Sequence, residues 1–255
     1  MQVKSADALI LRTYRYGEAD RIVVFLTEHH GKKRGVAKNA TKSRRRFGGA
    51  LEPLTRGRVA YVEREHRELV RIDRIEPTQM PLNAAQGRGA GDGAHVLGHA
   101  GYFAELLDEW APDGHANERL FRLGTAIGDA LGRAGSVEAL ARYFEYWLLR
   151  LEGVYPAIDV CPACGRTNLA AGAVLVIGEW DYVCDDCATK GPALSRDAMT
   201  FLRSASRQRP ATVSAAGAPV RALRQIEDAH HRLIAMHLDK ELRSARVVRE
   251  LRPES

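Results

Sequence analysis

No stretch of this sequence approaches the roughly 18 unbroken apolar residues that a membrane-crossing helix needs. The N-terminus, MQVKSADALILRTYRYGEAD, has neither the longer apolar run nor the small-residue cleavage site of a signal peptide. A membrane protein and an exported one are set aside, and a cytoplasmic protein is expected. No GxxxxGKS/T occurs, and Gly87 and Gly89 lack the third glycine of GxGxxG, so no phosphate-cradling loop is announced. GxSxG is also missing, which removes the commonest local sign of a serine hydrolase. Acids, finally, are missing from residues 32 to 46, where eight cations stand: Lys32, Lys33, Arg34, Lys38, Lys42, Arg44, Arg45 and Arg46.

What is present allows a real core. At 45% apolar residues over 255 positions, the chain can form one large or two ordinary domains. The net charge of +6 is unevenly placed. Residues 1 to 80 hold 18 Lys and Arg against 10 Asp and Glu, whereas residues 81 to 255 hold 20 against 22. All the positive excess therefore lies in the first third, where no interleaved acids make it a neutral, salt-bridged face. An anionic partner for that region follows.

From Ala8 to Glu76 the pattern is short and extended. ADALILRTY, DRIVVFLTE, GVAK, RGRVAYVER and ELVRIDRIE are β-branched or alternating and are separated by Tyr16-Gly17, His30-Gly31 and a polar loop around residues 39 to 49. Five strands with no room for crossover helices suggest a small antiparallel barrel, with the OB-fold as leading candidate and an SH3-like barrel as the alternative. Residues 77 to 94 are rich in proline and glycine and read as a linker. Beyond it the apolar period becomes 3.6, predicting helices over His95 to Trp110, Asn117 to Arg133, Val137 to Leu151, Ser195 to Ser206 and Pro219 to Arg243. Ser136 is the expected N-cap of the third. From Ser244 the tail is charged and expected to fray. The expected architecture is α+β and multi-domain. An OB-fold nucleic-acid-binding domain (1–78) and a linker (79–94) precede a helical domain (95–255) with an inserted metal module (158–190).

That module is CPACGRTNLAAGAVLVIGEWDYVCDDC. Cys161 and Cys164 form one CxxC and Cys184 and Cys187 another, 19 residues lie between them, and these are all the cysteines of the chain. The doubled spacing reads as one tetrahedral Zn2+. A turn eased by Gly165 aims the first two sulfurs, and VLVIGEWDYV returns as a hairpin to bring up the second pair. Disulfides do not suit an unsecreted chain, and thioredoxin-type redox pairs occur singly. Four thiolates leave zinc no open position, so its role is structural.

Catalytic patterns are thin. His66-Arg67-Glu68 supplies the HxE of a zinc deaminase, but the first cysteine is about ninety residues away and follows Val160 where that signature has proline. His95 and His99 stand four apart, yet Val96 occupies the position of the glutamate base in HExxH. His230 falls on the apolar stripe of Val220, Leu223, Ile226 and Leu233 and belongs to a helix contact, and His231 has no metal partner one turn on. Asp185 and Asp186 lie beside thiolates that would outcompete them for zinc. A protein that is not an enzyme is expected.

The basic run has a ready use on a barrel. Each cation that neutralises a phosphate releases condensed counterions, giving tight, salt-sensitive, sequence-independent binding. Aromatic rings add stacking on single-stranded bases. The first domain has five aromatics, Tyr14, Tyr16, Phe25, Phe47 and Tyr61. Phe25, within IVVFL, is expected in the core. Tyr14 and Tyr16 share a strand face with Arg12 and are either stacking platforms or interior residues, while Phe47 caps the basic loop. The DNA-contacting set is Lys32, Lys33, Arg34, Lys38, Lys42, Arg44, Arg45 and Arg46 with Arg12, Tyr14 and Phe47.

The same residues carry a family resemblance. TYRYGEADRIVVFLTEHHGKKRGVAKNATKSRRRFGGALEP resembles the N-terminal signature of the RecO family of bacterial DNA repair proteins. The matching elements are Tyr16-Gly17-Glu18, Asp20, Gly31-Lys32, Val36-Ala37-Lys38, Arg46-Phe47-Gly48-Gly49 and Leu51-Glu52-Pro53. The order barrel, helices, four-cysteine module, helices is also similar, and HLDKELRSARVV is similar to the family's closing helix. Two departures occur. Asn39-Ala40-Thr41 stands where the family pattern has Gly-Ala-Arg, which shifts one phosphate contact onto Arg44 to Arg46, and Leu54 stands where a Phe is common.

The resemblance implies a recombination mediator that binds single- and double-stranded DNA and anneals complementary strands. It also implies that the protein works with RecR, engages the acidic tail of single-strand-binding protein, and so helps load RecA in the bacterial, nucleoid-associated cytoplasm. Two rivals remain at this point: an RNA-binding factor built of OB-fold and zinc ribbon, and a zinc-dependent hydrolase acting on nucleic acid.

Overall fold

The computed structural model describes residues 3–63, 67–81, 83, 90–133, 135–167, 169–188, 190–240 and 242–251. Its contacts divide the chain into two compact units, one of residues 1–133 and 242–255 and one of residues 134–241.

The first unit is built on a closed five-stranded barrel of order β1-β2-β3-β5-β4, made of β1 (Val3–Tyr16), β2 (Asp20–Thr27), β3 (Gly31–Ala37), β4 (Arg56–Val62) and β5 (Leu69–Gln79). All pairings are antiparallel except β3 with β5, which run parallel from Arg34 opposite Leu69 to Ala37 opposite Ile72 and close the barrel. This is the expected OB-type barrel. β1 is long enough to pair with both β4 and β2, and an irregularity between Ile10 and Arg12 lets it bend from one to the other. Gly35 sits where any Cβ would come within 2.7 Å of Val70 and Ile72, so its lack of a side chain permits the closing pair.

Ala8, Ile10, Val23, Phe25, Val59, Tyr61, Val70, Ile72 and Ile75 fill the interior, with Phe25 and Tyr61 edge-on at 5.7 Å between ring centroids. Phe25 is thus core, as its apolar run implies. A one-turn helix, α1 (Arg44–Phe47), follows β3 and drops Phe47 into this same interior.

The outer face of β1 is buried as well. Leu9 and Leu11 alternate with Ala8 and Ile10, and helices α2 (Ala90–Trp110) and α3 (Glu118–Leu131) cover them. Gly124 of α3 approaches so closely that a Cβ there would meet Leu9 and Leu107 at 2.8 Å. The last helix, α8 (Arg243–Glu250), packs on α2, where Val248 is buried and Ser244 hydrogen-bonds to Glu105. The division at residues 78 and 95 therefore differs from the one the contacts draw. α2, α3 and α8 stay with the barrel because the two-sided apolar run of β1 needs a second cover. Of the segment from Ser244, expected to fray, residues 244–250 instead belong to a docked helix, and residues 252–255 lie outside the described residues. Of the linker read over residues 79–94, Gln79 ends β5 and residues 90–94 open α2, while residues 82 and 84–89 lie outside the described residues.

The second unit comprises α4 (Val137–Leu151), α5 (Arg196–Arg207), α6 (Pro210–Ala216) and α7 (Val220–Leu238) with a three-stranded sheet of order β7-β6-β8. Its strands are β6 (Gly172–Val176), β7 (Asp181–Val183) and β8 (Ala193–Ser195). Ser136 caps α4 by accepting the Ala139 N–H at 3.1 Å, as expected. α6 has no counterpart among the sequence-predicted helices. α7 ends early, at Asp239 in the left-handed conformation.

No helix among the described residues is long and apolar enough to cross a membrane.

Candidate nucleic-acid interface and metal centre

β3 ends at Ala37, and the chain enters the basic loop through Asn39, whose φ of +55° is left-handed. Asparagine tolerates that conformation better than most residues. The family's Gly at this position and the Asn found here thus answer one backbone requirement. The Asn39 N–H donates to Asp20 Oδ1 at 2.7 Å, Thr41 N–H donates to the Ala19 carbonyl at 3.1 Å, and the turn is pinned to the β1–β2 hairpin. Arg46 folds back to donate to the Lys38 carbonyl at 2.7 Å and to Ser43 Oγ at 3.1 Å, with its guanidinium 4.9 Å from the Phe47 ring centroid. Arg46 thus closes the loop, leaving Lys38, Lys42, Arg44 and Arg45 exposed; among the described residues none of these four forms an ion pair.

The other predicted contacts divide differently. Phe47 is only 2% exposed and belongs to the barrel core, so it cannot stack on a base; its role as cap of the loop is corrected to that of an anchor beneath it. Lys32 is 8% exposed. Its ammonium donates to the Asp108 carbonyl at 2.6 Å and lies 3.3 Å from the Asp108 carboxylate and 3.5 Å from that of Asp113. Arg12 points to the same helix, 2.9 Å from Asp108, 3.0 Å from Glu109 and 3.4 Å from Glu105. Both cations are spent inside the unit. Lys33 pairs with Glu63 at 3.0 Å, and Arg34, itself exposed, reaches Asp113 at 3.8 Å. Lys4 first and Lys33 second hold the Glu63 carboxyl below its usual range.

Tyr14 and Tyr16 are exposed, at 45% and 49%. Tyr16 lines a cavity of about 630 Å³ at the end of the barrel, together with Lys38, Arg67 and Arg71, whereas Tyr14 does not. Arg67 and Arg71 were not singled out by the sequence; they lie outside the dense run, and only the parallel β3–β5 pairing, Val36 opposite Arg71, brings them to it. Leu54, at the family's Phe position, is buried at 1% with φ +59°, which makes it core.

In the second unit the four cysteines converge. The N–H of Gly165, at φ +70°, donates to the Cys161 carbonyl at 2.9 Å, and the N–H of Cys187 donates to the Cys184 carbonyl at 3.0 Å, so each CxxC makes one tight turn. The intervening segment returns as the β6–β7 hairpin, Val174 opposite Val183 and Val176 opposite Asp181. All four Sγ atoms lie within 4.8 Å of one another, and Cys164 and Cys184 are 3.7 Å apart. Four sulfurs about 2.3 Å from one ion stand about 3.8 Å apart in a tetrahedron, so this donor set fits one metal ion.

The Cys184 N–H donates to Cys161 Sγ at 3.4 Å and pulls the Cys161 thiol down to about 6. Hydrogen bonding with Cys164 and Cys184 pushes Cys187 up to about 12, because sulfurs packed this closely cannot all ionise without a cation among them. Arg166 and Asp186 join the two turns by a 2.5 Å ion pair, so Asp186 is turned to Arg166.

The histidines take structural places. His99 is buried, its ring 4.7 Å edge-on from that of His95. His230 is buried, 3.0 Å from Glu145 and 2.9 Å from the Tyr155 hydroxyl, a helix contact as expected. Burial pushes the His230 pKa down. Burial would raise that of Glu145, but Arg142 and His230 outweigh it and hold the carboxyl at about 2. His66 lies outside the described residues.

A closed β1-β2-β3-β5-β4 barrel with a basic loop at its end, in a chain that also carries helices and a four-cysteine cluster, defines a class: OB-type barrel proteins with an appended metal-binding module. The chain belongs to the recombination protein O (RecO) family. The model of the family's N-terminal part matches residues 1–81, and that of its C-terminal part matches residues 94–246. The chain is similar to the DNA repair protein RecO of Pelobacter propionicus, 32% identical over the whole of both chains, and to that of Geobacter sulfurreducens, 38% identical over 77% of each. To the Koribacter versatilis protein of the same name it is 43% identical over 64% of each.

Proposed function

We propose that this chain is a non-enzymatic DNA-binding protein of recombinational repair, whose barrel holds the phosphates of single- and double-stranded DNA through Lys38, Lys42, Arg44 and Arg45, with Arg34 and Lys33 at the margin. One observation carries this: four exposed cations stand together on a loop pinned at the end of a closed barrel, and none has an acid partner among the described residues. Charge so placed attracts phosphates by counterion release and reads no sequence. Two strands held on such a surface repel each other less, which gives bases time to pair; strand annealing follows.

Cooperation with RecR, capture of the acidic tail of single-strand-binding protein and loading of RecA rest on the resemblance and on family membership. A bacterial, nucleoid-associated cytoplasmic location rests on the same ground. The metal is proposed to be one Zn2+ on Cys161, Cys164, Cys184 and Cys187. When bound it neutralises the clustered thiolates and staples the two turns, leaving no open position for chemistry.

The test is a salt titration of labelled single-stranded and duplex DNA. Four phosphate contacts give log K against log salt a slope of about −3 on single strands and about −4 on duplex. Reversing Arg44 and Arg45 to Glu should flatten both slopes by more than half. An affinity indifferent to salt would defeat the proposal, and equal competition by RNA of the same length would point instead to an RNA-binding factor.

A further inference from the structure

Each CxxC of the metal centre has an inner and an outer sulfur. Cys161 adjoins the Val160–Thr167 bridge, with its N–H donating to the Arg166 carbonyl at 2.9 Å, and Cys184 follows directly on β7, so strand pairing holds both inward. They are 0% and 2% exposed. Cys164 and Cys187 stand further round their turns, where Cys164 is exposed and Cys187 half-buried. The Cys161 sulfur also accepts the Cys184 N–H at 3.4 Å, which occupies one of its lone pairs. The Cys164 sulfur, open to solvent, lies 3.7 Å from that of Cys184 on the other turn. A disulfide needs about 2.05 Å between sulfurs, so small side-chain rotations bridge that gap.

We propose that this centre is a peroxide-responsive switch, in which Cys164 is oxidised first and Cys184 closes a disulfide onto it across the two turns. The inference rests on the zinc proposed above and gives its four ligands a second state. Reactivity toward peroxide follows thiolate character and access. Zinc, when bound, keeps all four sulfurs as thiolates, so access ranks them and Cys164 comes first. The Cys164 thiolate attacks one oxygen of hydrogen peroxide: an S–O bond forms, the O–O bond breaks, and the departing hydroxide takes a proton from solvent to become water. Cys164 is then a sulfenic acid, oxidised by the two electrons that peroxide has accepted. The Cys184 thiolate next attacks the Cys164 sulfur; the S–S bond forms, the S–O bond breaks, and the second hydroxide is likewise protonated to water. Two thiolates, one peroxide and two protons thus give one disulfide and two waters. Cys161 and Cys187 alone are too few to hold a structural ion, so the metal is released. The new bond spans the two turns as the ion did and keeps the β6–β7 hairpin closed, whereas a disulfide inside either CxxC would leave the turns unlinked. Peroxide therefore removes the metal without opening the module, and a thiol reductant with zinc restores it.

The experiment uses the full chain, purified reduced and assayed for zinc, then treated with hydrogen peroxide beside a colorimetric zinc dye. Peptide mapping by mass spectrometry after alkylation reads the pairing. About one zinc should be released for each disulfide formed. The linked peptide should join Cys164 to Cys184, and a sulfenic-acid probe added with the peroxide should label Cys164 ahead of the other three cysteines. The near-ultraviolet signal of Trp180 and Tyr182 should persist under peroxide, although a chelator abolishes it, and dithiothreitol with Zn2+ should reverse the release. Disulfides confined to Cys161–Cys164 or Cys184–Cys187, or zinc retained while peroxide already oxidises the methionines, would overturn this inference and leave the structural zinc standing. A reduced protein without zinc would defeat the zinc reading and this inference with it.

Discussion

Lys32 carries the same charge as Lys38, six residues on, yet its ammonium is buried against Asp108 while that of Lys38 is exposed. The difference begins at Gly31. At φ +67° and with the His115 backbone 2.3 Å from where a Cβ would stand, Gly31 lets the α2–α3 connection lie along the start of β3. There Lys32 N–H donates to the Pro112 carbonyl at 3.3 Å and Gly114 N–H to the Lys32 carbonyl at 3.1 Å. The Gly31-Lys32 pair of the family signature is therefore a docking device in this chain. Lys32→Met should destabilise the protein in urea by about 3 kcal/mol, because it leaves Asp108 with Arg12 as its remaining cation. It should leave the salt slope of DNA binding unchanged. Lys38→Gln should do the reverse, with stability within about 0.5 kcal/mol of wild type and a slope shallower by about 0.7 on single strands.

Among the elements, the β6–β7 hairpin and its flanking turns have the least to hold them. The hairpin strands are five and three residues long, and a two-stranded hairpin of this size is marginal without further support. β8 adds a third strand, and the proposed metal on the four cysteines would supply the remainder. Structural zinc contributes on the order of 10 kcal/mol of binding free energy, comparable to the entire net stability of a domain. Metal analysis should find one zinc per chain. A strong chelator, or Cys161→Ser, should remove the metal and unfold the hairpin region, seen as loss of near-ultraviolet signal from Trp180 and Tyr182. Loop-mediated DNA binding should stay within about twofold, because all its cations belong to the other unit. Metal loss with no change in the spectrum or the melting curve would count against a structural centre.

At the scale of the whole molecule, the chain leaves its first unit after Arg133 and returns to it at Leu242. The barrel's own strands end at Gln79, but Leu9 and Leu11 on the outer face of β1 are about 1% exposed only because α2 and α3 lie over them. Burying one leucine contributes roughly 1.5–3 kcal/mol, so their exposure would consume much of a small barrel's margin. A fragment of residues 1–80 should therefore bind hydrophobic dye and melt without a cooperative transition, while the full chain does neither. A fragment as stable as the full chain would overturn this account.

Five strands, the hairpin between the cysteine pairs, the metal-ligand set and the capped helix after Ser136 were legible because each is encoded within a few residues by alternation, spacing or a cap. The destinations of Lys32, Arg12 and Phe47 were not, since a cation's partner or an aromatic ring's neighbours come from segments tens of residues away. Asp108 is 76 positions from Lys32. The sequence by itself determined that this protein has a basic barrel and a four-cysteine cluster. Only the tertiary structure decided which cations face solvent, that Tyr16 borders a cavity with Arg67 and Arg71, and that the final helix completes the first unit. Local pattern specifies what an element is, and burial against distant elements specifies which of its side chains remain free to act.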